Sequence, residues 1–237
     1  MNYEFPYHII DLTQTISENC PTWENKCGFS SSLIIDYSDC DTDVKFRVER
    51  FNMEAGVGTH MDAPAHCVPG GASVEQIPLS QLIIPAVVID ISATADGSSV
   101  LSVQDIKKFE ELYGLIPQTA FVLIHTGWCR FWSQPERYHN NYQFPCVSAE
   151  AAQYLLSRQI SGLGIDTLSP DRPESGYPVH HLLLNAGKII IENATNLEQL
   201  PSVGSFLIIS PMKVQNATES PVRLLGLIQT KGTLLSD

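Results

Sequence analysis

Short apolar segments alternate with polar and turn-forming stretches along the whole 237-residue chain. A continuous apolar run predicts a strand covered on both faces, whereas alternating apolar and charged residues predict a strand with one solvated face. Residues 83–91 show the first pattern and residues 44–51 show the second. The predicted strands cover residues 8–13, 32–37, 44–51, 83–91, 121–125, 162–166, 188–192, 205–209 and 223–228.

Two segments have the spacing of amphipathic helices. Ser102 is predicted to cap a helix that runs to Tyr113, and Gly114 is predicted to end it. Ser148 is predicted to cap a second helix over residues 149–158. Because strands outnumber helices and not every pair of strands leaves room for a helix between them, we expect an α/β fold with a mixed sheet.

Composition narrows the class of protein. A hydrophobic content of 43% and a charged content of 17% are typical of a packed globular protein, and residues 1–237 are expected to form a single domain. The formal net charge of -12 argues against binding to nucleic acid or to anionic membrane surfaces. No apolar run approaches the length of a membrane span, so no membrane partner is expected.

The six cysteines show no CxxC spacing, and the first residues lack the basic and apolar regions of a secretory signal. Cysteines in this context are expected to be reduced thiols. The sequence therefore predicts a cytoplasmic protein.

The densest candidate chemistry lies between residues 56 and 66. His60, Asp62 and His66 fall within seven residues, with Gly58 just before them and Pro64 among them. Such a stretch suits a loop or strand end folded around a cation, because Gly and Pro hold irregular backbone and because His and Asp are ligands of Zn²⁺ and Mn²⁺. We interpret it as part of a metal site with an acid/base histidine; the alternative is a loop that carries two histidines by chance.

One loop supplies too few ligands, so distant partners are expected. Glu192 ends an apolar run, and burying its carboxylate without a counter-charge would cost several kcal/mol. His180 follows a turn-rich stretch and is a second candidate. The alternative is a helix N-terminus with two solvated histidines, His180 and His181, and a glutamate at a strand edge.

The stretch between residues 56 and 66 also carries a family resemblance. It resembles the signature of the cyclase family of metal-dependent hydrolases, which includes bacterial-type kynurenine formamidases (arylformamidases) and isatin hydrolases. The family pattern is H-x-G-T-H-x-D-x-P-x-H, and this chain reads G-V-G-T-H-M-D-A-P-A-H from Gly56 to His66. The resemblance implies a three-layer β/β/α fold and a homo-oligomer, commonly a dimer.

The resemblance also implies roles for individual residues. His66 matches the acid/base histidine, and Asp62 and Glu192 match the carboxylates that bridge two zinc ions. His60 matches a ligand of the first zinc. His180 matches a ligand of the second, because it lies twelve residues before Glu192, as in the formamidases.

Two further positions enter through the same resemblance. His181 stays open as an alternative to His180, although its spacing to Glu192 does not fit. Trp23 lies in a loop that is similar to the loop whose tryptophan lines the family's substrate pocket, and a plain core position is the other interpretation.

Gly56 is the departure from the pattern, because the family has a zinc-binding histidine there. Three consequences are open. In the first, the first metal is held more weakly, with water in the coordination position of the missing histidine. In the second, Glu54 replaces the imidazole, since it lies two residues away on the same strand face. In the third, the site holds a single metal. We expect one metal ion or two unequal ones, with zinc first and manganese second.

Three functions are compatible with these residues. The leading hypothesis is hydrolysis of an aryl formamide, such as N-formylkynurenine to kynurenine and formate in tryptophan catabolism. The same groups could open a cyclic amide or lactone, as isatin hydrolase does. The third is a non-catalytic binding member of the fold, which only Gly56 supports and which the retained His66 argues against.

Overall fold

Twelve strands and four α-helices form the computed structural model, which describes residues 5–230. The strands are β1 (Tyr7–Asp11), β2 (Phe29–Ile35), β3 (Val48–Met53), β4 (His60–Asp62), β5 (Ile83–Asp90), β6 (Val100–Leu101), β7 (Phe121–His125), β8 (Cys146–Val147), β9 (Gly162–Ile165), β10 (Ile189–Glu192), β11 (Ser205–Pro211) and β12 (Glu219–Gln229). The helices are α1 (Val103–Tyr113), α2 (Pro135–His139), α3 (Ala149–Ser157) and α4 (Pro178–Asn185).

Eight strands form a mixed sheet that closes on itself. Their order is β1-β12-β11-β5-β7-β9-β10-β4, and β4 also pairs with β12. The pairs among β5, β7, β9 and β10 are parallel, and the other pairs are antiparallel. The fold is therefore a single-domain α/β fold built on a closed barrel, which confirms the predicted mixed sheet.

The barrel wall separates two apolar cores. In β5, Ile84 and Val88 belong to the core inside the barrel, whereas Val87 and Ile89 belong to the core between the sheet and the helices. Ile106 of α1 and Leu155 of α3 pack in that second core. Alternate residues of β5 are thus buried on opposite faces, which explains why this strand reads as continuously apolar.

Both predicted helices are confirmed, with their caps. The Ser102 side chain accepts a hydrogen bond from the Asp105 backbone amide, and Gly114 follows the last residue of α1. The Ser148 side chain accepts a hydrogen bond from the Ala151 amide at the start of α3. These bonds satisfy amides that have no partner within the helix.

The predicted strand over residues 44–51 is wrong in its first half. Residues 44–47 form a loop in which the Phe46 amide donates to Cys40 Sγ at 3.4 Å, and β3 begins only at Val48. Among the described residues, β3 pairs only with β2, in a two-stranded sheet whose residues are mostly exposed. The alternation of side chains therefore did not mark one buried face.

Two other expectations from the sequence stay predictions. The three-layer β/β/α arrangement stays a prediction, since the main sheet is a closed barrel. The expected domain of residues 1–237 includes residues 1–4 and 231–237, which lie outside the described residues. Within residues 5–230, no helix has the length and the apolar character that crossing a bilayer requires.

Gly162 of β9 tests the packing of the barrel wall. A Cβ at this position would meet the Phe121 ring and would lie 2.6 Å from the Ile189 carbonyl oxygen, which belongs to the paired backbone. We expect Gly162→Ala to lower the free energy of unfolding by about 1–3 kcal/mol through overpacking. Urea denaturation measures this loss.

Gly164 provides the matched control in the same strand. The atom nearest to a Cβ there is Leu123 Cδ2 at 2.7 Å, a side-chain carbon that can rotate away. Gly164→Ala should therefore be less damaging than Gly162→Ala. Equal stability of Gly162→Ala and the parent protein would contradict this account of the wall.

Candidate metal site and substrate pocket

The short strand β4 places two candidate ligands on one face. Side chains alternate along a strand, so His60 and Asp62 point to the same side and Met61 to the other. Met61 is fully buried in the core inside the barrel. His60 and Asp62 consequently lie on the outer, helix-covered side of the wall, where both are buried.

The register of β4 brings two glutamates to the same place. On one edge, Glu192 of β10 pairs with His60, and on the other edge Glu219 of β12 pairs with Asp62. Directly paired residues lie on the same face of a sheet. Three strands that are distant in sequence therefore contribute four polar side chains to one patch.

Gly58 and Thr59 of the motif support this arrangement. Gly58 has a φ of +68°, which a residue with a side chain rarely adopts, and its carbonyl oxygen accepts hydrogen bonds from Asn193 Nδ2 at 2.9 Å and from His60 Nδ1 at 3.0 Å. The Thr59 hydroxyl donates to the Asn193 carbonyl at 2.7 Å. These bonds join the motif to the segment that follows β10.

The bond to Gly58 fixes the orientation of the His60 ring. With Nδ1 engaged as a donor, Nε2 is the atom available for a cation. This Nε2 lies 3.3 Å from Glu192 Oε2 and 3.5 Å from Asp62 Oδ1.

The His180 ring is held through Nδ1 like the His60 ring, but its partner is a carboxylate instead of a backbone carbonyl. It lies in the first turn of α4, and its Nδ1 is 2.8 Å from Asp171 Oδ2. Asp171 also accepts hydrogen bonds from the backbone amides of Val179 and His180. His180 Nε2 lies 3.5 Å from Asp62 Oδ2 and 3.4 Å from Glu192 Oε1.

These side chains fit a divalent cation. Asp62, His180 and Glu192 offer ligand atoms that all lie within 4.8 Å of one another, and so do His60, Asp62 and Glu219. Asp62 Oδ1 and Glu192 Oε1 are buried and accept no hydrogen bond from residues 5–230. Buried carboxylate oxygens of this kind need a counter-charge.

The charges of the site shift its pKa values. Burial opposes protonation of His60, but the hydrogen bond to Glu192 and the charges of Asp62 and Glu192 outweigh it and raise its pKa to about 10. Burial also opposes protonation of His180, yet Asp171, Asp62 and Glu192 raise its pKa well above the usual value. A bound cation would displace these protons, so its affinity should rise with pH.

His66 follows β4 on a short 3₁₀ turn, Pro64–His66. Its Nδ1 lies 3.3 Å from Glu219 Oε2, and its ring centroid is 6.0 Å from that of His180. The hydrogen bond with Glu219 raises the pKa of His66, although partial burial opposes the shift. With 32% of its side chain exposed, His66 is accessible to a proton-exchanging group.

A cavity of about 550 Å³ opens over these groups and is lined by His60, Asp62, His66, His180 and Glu192, among others. Trp23 and Tyr177 also line it, with ring centroids 6.0 Å apart. Trp23 also packs against Tyr142 at 4.7 Å. The Trp23 ring therefore faces the cavity and also contacts an aromatic cluster, and its role in substrate binding stays a prediction.

The structure brings together all the residues that the sequence singled out as principal candidates: Trp23, His60, Asp62, His66, His180 and Glu192. The two alternatives do not join the ligand groups. Glu54 lines the cavity, but its Oε2 lies beside Gly28, at 3.3 Å from the place that a Cβ on Gly28 would take. His181 is exposed on α4.

Sequence reasoning missed Glu219 and Asp171. Glu219 precedes the predicted strand over residues 223–228, and only the observed start of β12 shows that it belongs to the sheet. Asp171 lies in the turn-rich stretch before His180, where the sequence gives an acidic residue no distinguishing pattern. A carboxylate shortly before a candidate histidine ligand is the one signal that could have identified it.

The closed barrel and its clustered histidines and carboxylates fit the class of metal-dependent hydrolases. The sequence model of the family described as "Putative cyclase" matches residues 10–172, and the chain belongs to this family.

Three similar proteins place the chain within the family. Isatin hydrolase A from Labrenzia aggregata, solved bound to benzyl benzoate, superposes with a TM-score of 0.85 and 32% identity over 95% of each chain. A potential metal-dependent hydrolase with cyclase activity superposes with a TM-score of 0.77 and 30% identity over 94% of this chain and 99% of that one. Kynurenine formamidase from Geobacillus thermodenitrificans is 28% identical over 90% of this chain and 94% of its own length.

Asp171 tests the geometry of the metal site without removing a candidate ligand. Asp171→Asn would weaken the hold on His180 Nδ1, and loss of such a partner lowers metal affinity by about 10–100-fold. Isothermal titration of the metal-free protein with Zn²⁺ or Mn²⁺ measures the change.

Glu174→Gln is the matched control, because Glu174 lies in the same loop, is exposed and contacts Gln143. It should bind metal like the parent protein. A folded Asp171→Asn variant with unchanged affinity would show that Asp171 does not orient a ligand.

Proposed function

We propose that this chain hydrolyses the amide bond of a small aromatic substrate with the help of a divalent cation. The observation that carries the proposal is the convergence of two imidazole Nε2 atoms on two buried carboxylates beside an aromatic-walled cavity. We assign His60, Asp62, His180 and Glu192 as metal ligands. Zinc is the first candidate ion and manganese the second.

The two possible ligand groups differ in burial. Asp62, His180 and Glu192 are all buried, whereas the group of His60, Asp62 and Glu219 includes a half-buried member. Asp62 belongs to both groups, so it would bridge two ions if both were bound. We propose one tightly held ion, with a second ion held more weakly.

A bound cation and His66 would have different roles in the hydrolysis. A divalent cation at this place supplies an activated water and stabilises negative charge on the carbonyl oxygen. His66 is assigned as the acid/base group that delivers a proton to the leaving nitrogen. Its hydrogen bond with Glu219 favours the protonated form that this role requires.

Trp23 is assigned to substrate binding. Its ring lies 6.0 Å from that of Tyr177, and both line the cavity. Aromatic side chains at these distances can pack against an aryl group. An aryl formamide such as N-formylkynurenine is therefore the substrate that we propose first.

A second substrate class has its own support. In sequence, an isatin hydrolase from Roseibium aggregatum and the kynurenine formamidase are 29% and 28% identical to this chain, so the ring-opening of a cyclic amide of the isatin type is the second candidate. Both reactions break a carbonyl–nitrogen bond and need the same proton donor.

The substrate panel and His66 test these assignments together. We expect the metal-loaded protein to release formate from N-formylkynurenine or to open isatin, with the absorbance of each product as the readout. His66→Ala should lower kcat by about 10²–10⁴-fold, because the leaving nitrogen loses its proton donor, while metal content stays the same.

His181→Ala is the matched control, since His181 is exposed on the same helix as His180 and should be dispensable. A metal-loaded protein that turns over neither substrate would refute the proposed amide hydrolysis and favour the non-catalytic binding role. Full activity in His66→Ala would remove His66 from the mechanism.

We also propose a homodimer and a cytoplasmic location. All six cysteines are free, which agrees with a reducing compartment. The sheet of β2 and β3 exposes Leu33, Ile34 and Phe51, with 46%, 46% and 59% of their surfaces accessible. Several exposed apolar side chains on one small sheet are typical of a surface that contacts another protein.

Light scattering coupled to gel filtration tests the dimer. Phe51→Asp would place a charge in the proposed interface and should convert a dimer to a monomer. Leu112→Asp is the control, because Leu112 is 76% exposed on α1, away from this sheet. A monomeric parent protein would refute the dimer.

A further inference from the structure

The space beside Gly56 is occupied by a carboxylate from another strand. A Cβ on Gly56 would lie 2.6 Å from Glu219 Oε1 and 3.4 Å from His60 Nε2. Gly56 is not in the left-handed region of backbone conformation, so its backbone would accept a side chain. Glu219 therefore occupies the position into which a longer residue 56 would project.

Glu219 lies close to two possible metal ligands of the motif. One oxygen of Glu219, one nitrogen of His60 and one oxygen of Asp62 lie within 4.8 Å of one another. The β4–β12 register holds Glu219 directly opposite Asp62. The position of Glu219 is thus set by the closure of the barrel.

An independent feature points to a cation at this place. Asp62 Oδ1 is buried, accepts no hydrogen bond within the described part of the chain and lies 3.5 Å from His60 Nε2. The Asp62 side chain is only 2% exposed, so water does not solvate this oxygen freely. A positive charge between His60, Asp62 and Glu219 would give that oxygen a partner.

The two oxygens of Glu219 face different groups. Oε2 lies 3.3 Å from His66 Nδ1, whereas Oε1 is directed to the space beside Gly56 and His60. One carboxylate can therefore bind a cation through one oxygen and hold the acid/base histidine through the other.

We propose that Glu219 is a metal ligand of this chain, in the place that the histidine of the family pattern would take at position 56. The proposal rests on the metal-dependent function proposed above and deepens it. In this proposal, His60, Asp62 and Glu219 together hold the first metal ion. An oxygen donor in place of an imidazole moves the preference of this position from Zn²⁺ toward Mn²⁺.

A ligand swap tests the proposal. Glu219→Ala should weaken the binding of the metal at this position by at least about tenfold, as loss of a direct ligand should cost no less than loss of a supporting group. The double variant Gly56→His with Glu219→Ala should recover the affinity and bind Zn²⁺ in preference to Mn²⁺. Isothermal titration with each ion alone, and competition between them, provide the measurements.

The double variant also separates two roles of Glu219. It restores a donor for the metal but not the hydrogen bond to His66, so recovered affinity could not come from His66. Glu54→Ala is the matched control, because Glu54 lines the same cavity but belongs to neither ligand group. It should leave the affinity for both ions unchanged.

The outcomes are distinguishable. Equal metal affinity in Glu219→Ala and the parent protein would overturn the proposal, and so would a double variant that stays as weak as Glu219→Ala. A parent protein that binds neither ion would refute the proposed metal-dependent function itself. Circular dichroism checks that each variant folds; if Glu219→Ala does not, Glu219→Gln keeps the side-chain shape, and unchanged affinity and ion preference there would overturn the proposal.

Discussion

The pairing of β4 with two strands at once is the constraint on which the site depends. β4 is three residues long, yet it pairs with β10 on one edge and with β12 on the other. These pairs close the barrel and also align His60 with Glu192 and Asp62 with Glu219. A slip of one residue would turn Met61 toward the site and would turn His60 and Asp62, the candidate ligands, into the barrel. The same backbone hydrogen bonds thus set the fold and the candidate metal centre.

Electrostatics make this arrangement costly without a positive charge. Asp62 and Glu192 are buried together, and His60 and His180 respond with raised pKa values. Because Asp171 and a backbone carbonyl hold the two Nδ1 atoms, both Nε2 atoms face the carboxylates. Protons and a divalent cation therefore compete for one set of atoms. That competition connects the packing of the barrel to the chemistry expected of a metal-dependent hydrolase of the cyclase family.

Gly56 departs from the family pattern, and the space that a side chain at position 56 would fill is taken by a residue far along the chain. Glu219 occupies the neighbouring space and lies 3.3 Å from His66, so one side chain connects the proposed metal position with the proposed proton donor. The proposed link would explain how a chain without the motif's first histidine can retain His66. From the motif alone, the site would lack one metal-binding side chain, because Glu219 lies outside the motif.

The sequence by itself determined the strands whose apolar runs are buried on both faces, the caps Ser102 and Ser148, and the residues of the motif that lie together. Those features depend on local periodicity and on short-range hydrogen bonds, which the order of residues records directly. Local alternation misled at residues 44–47, where a loop replaces the strand. Only the tertiary structure decided the closure of the barrel and the entry of Asp171 and Glu219 into the site. Strand register and the meeting of distant segments arise from packing of the whole chain, and no local pattern specifies them.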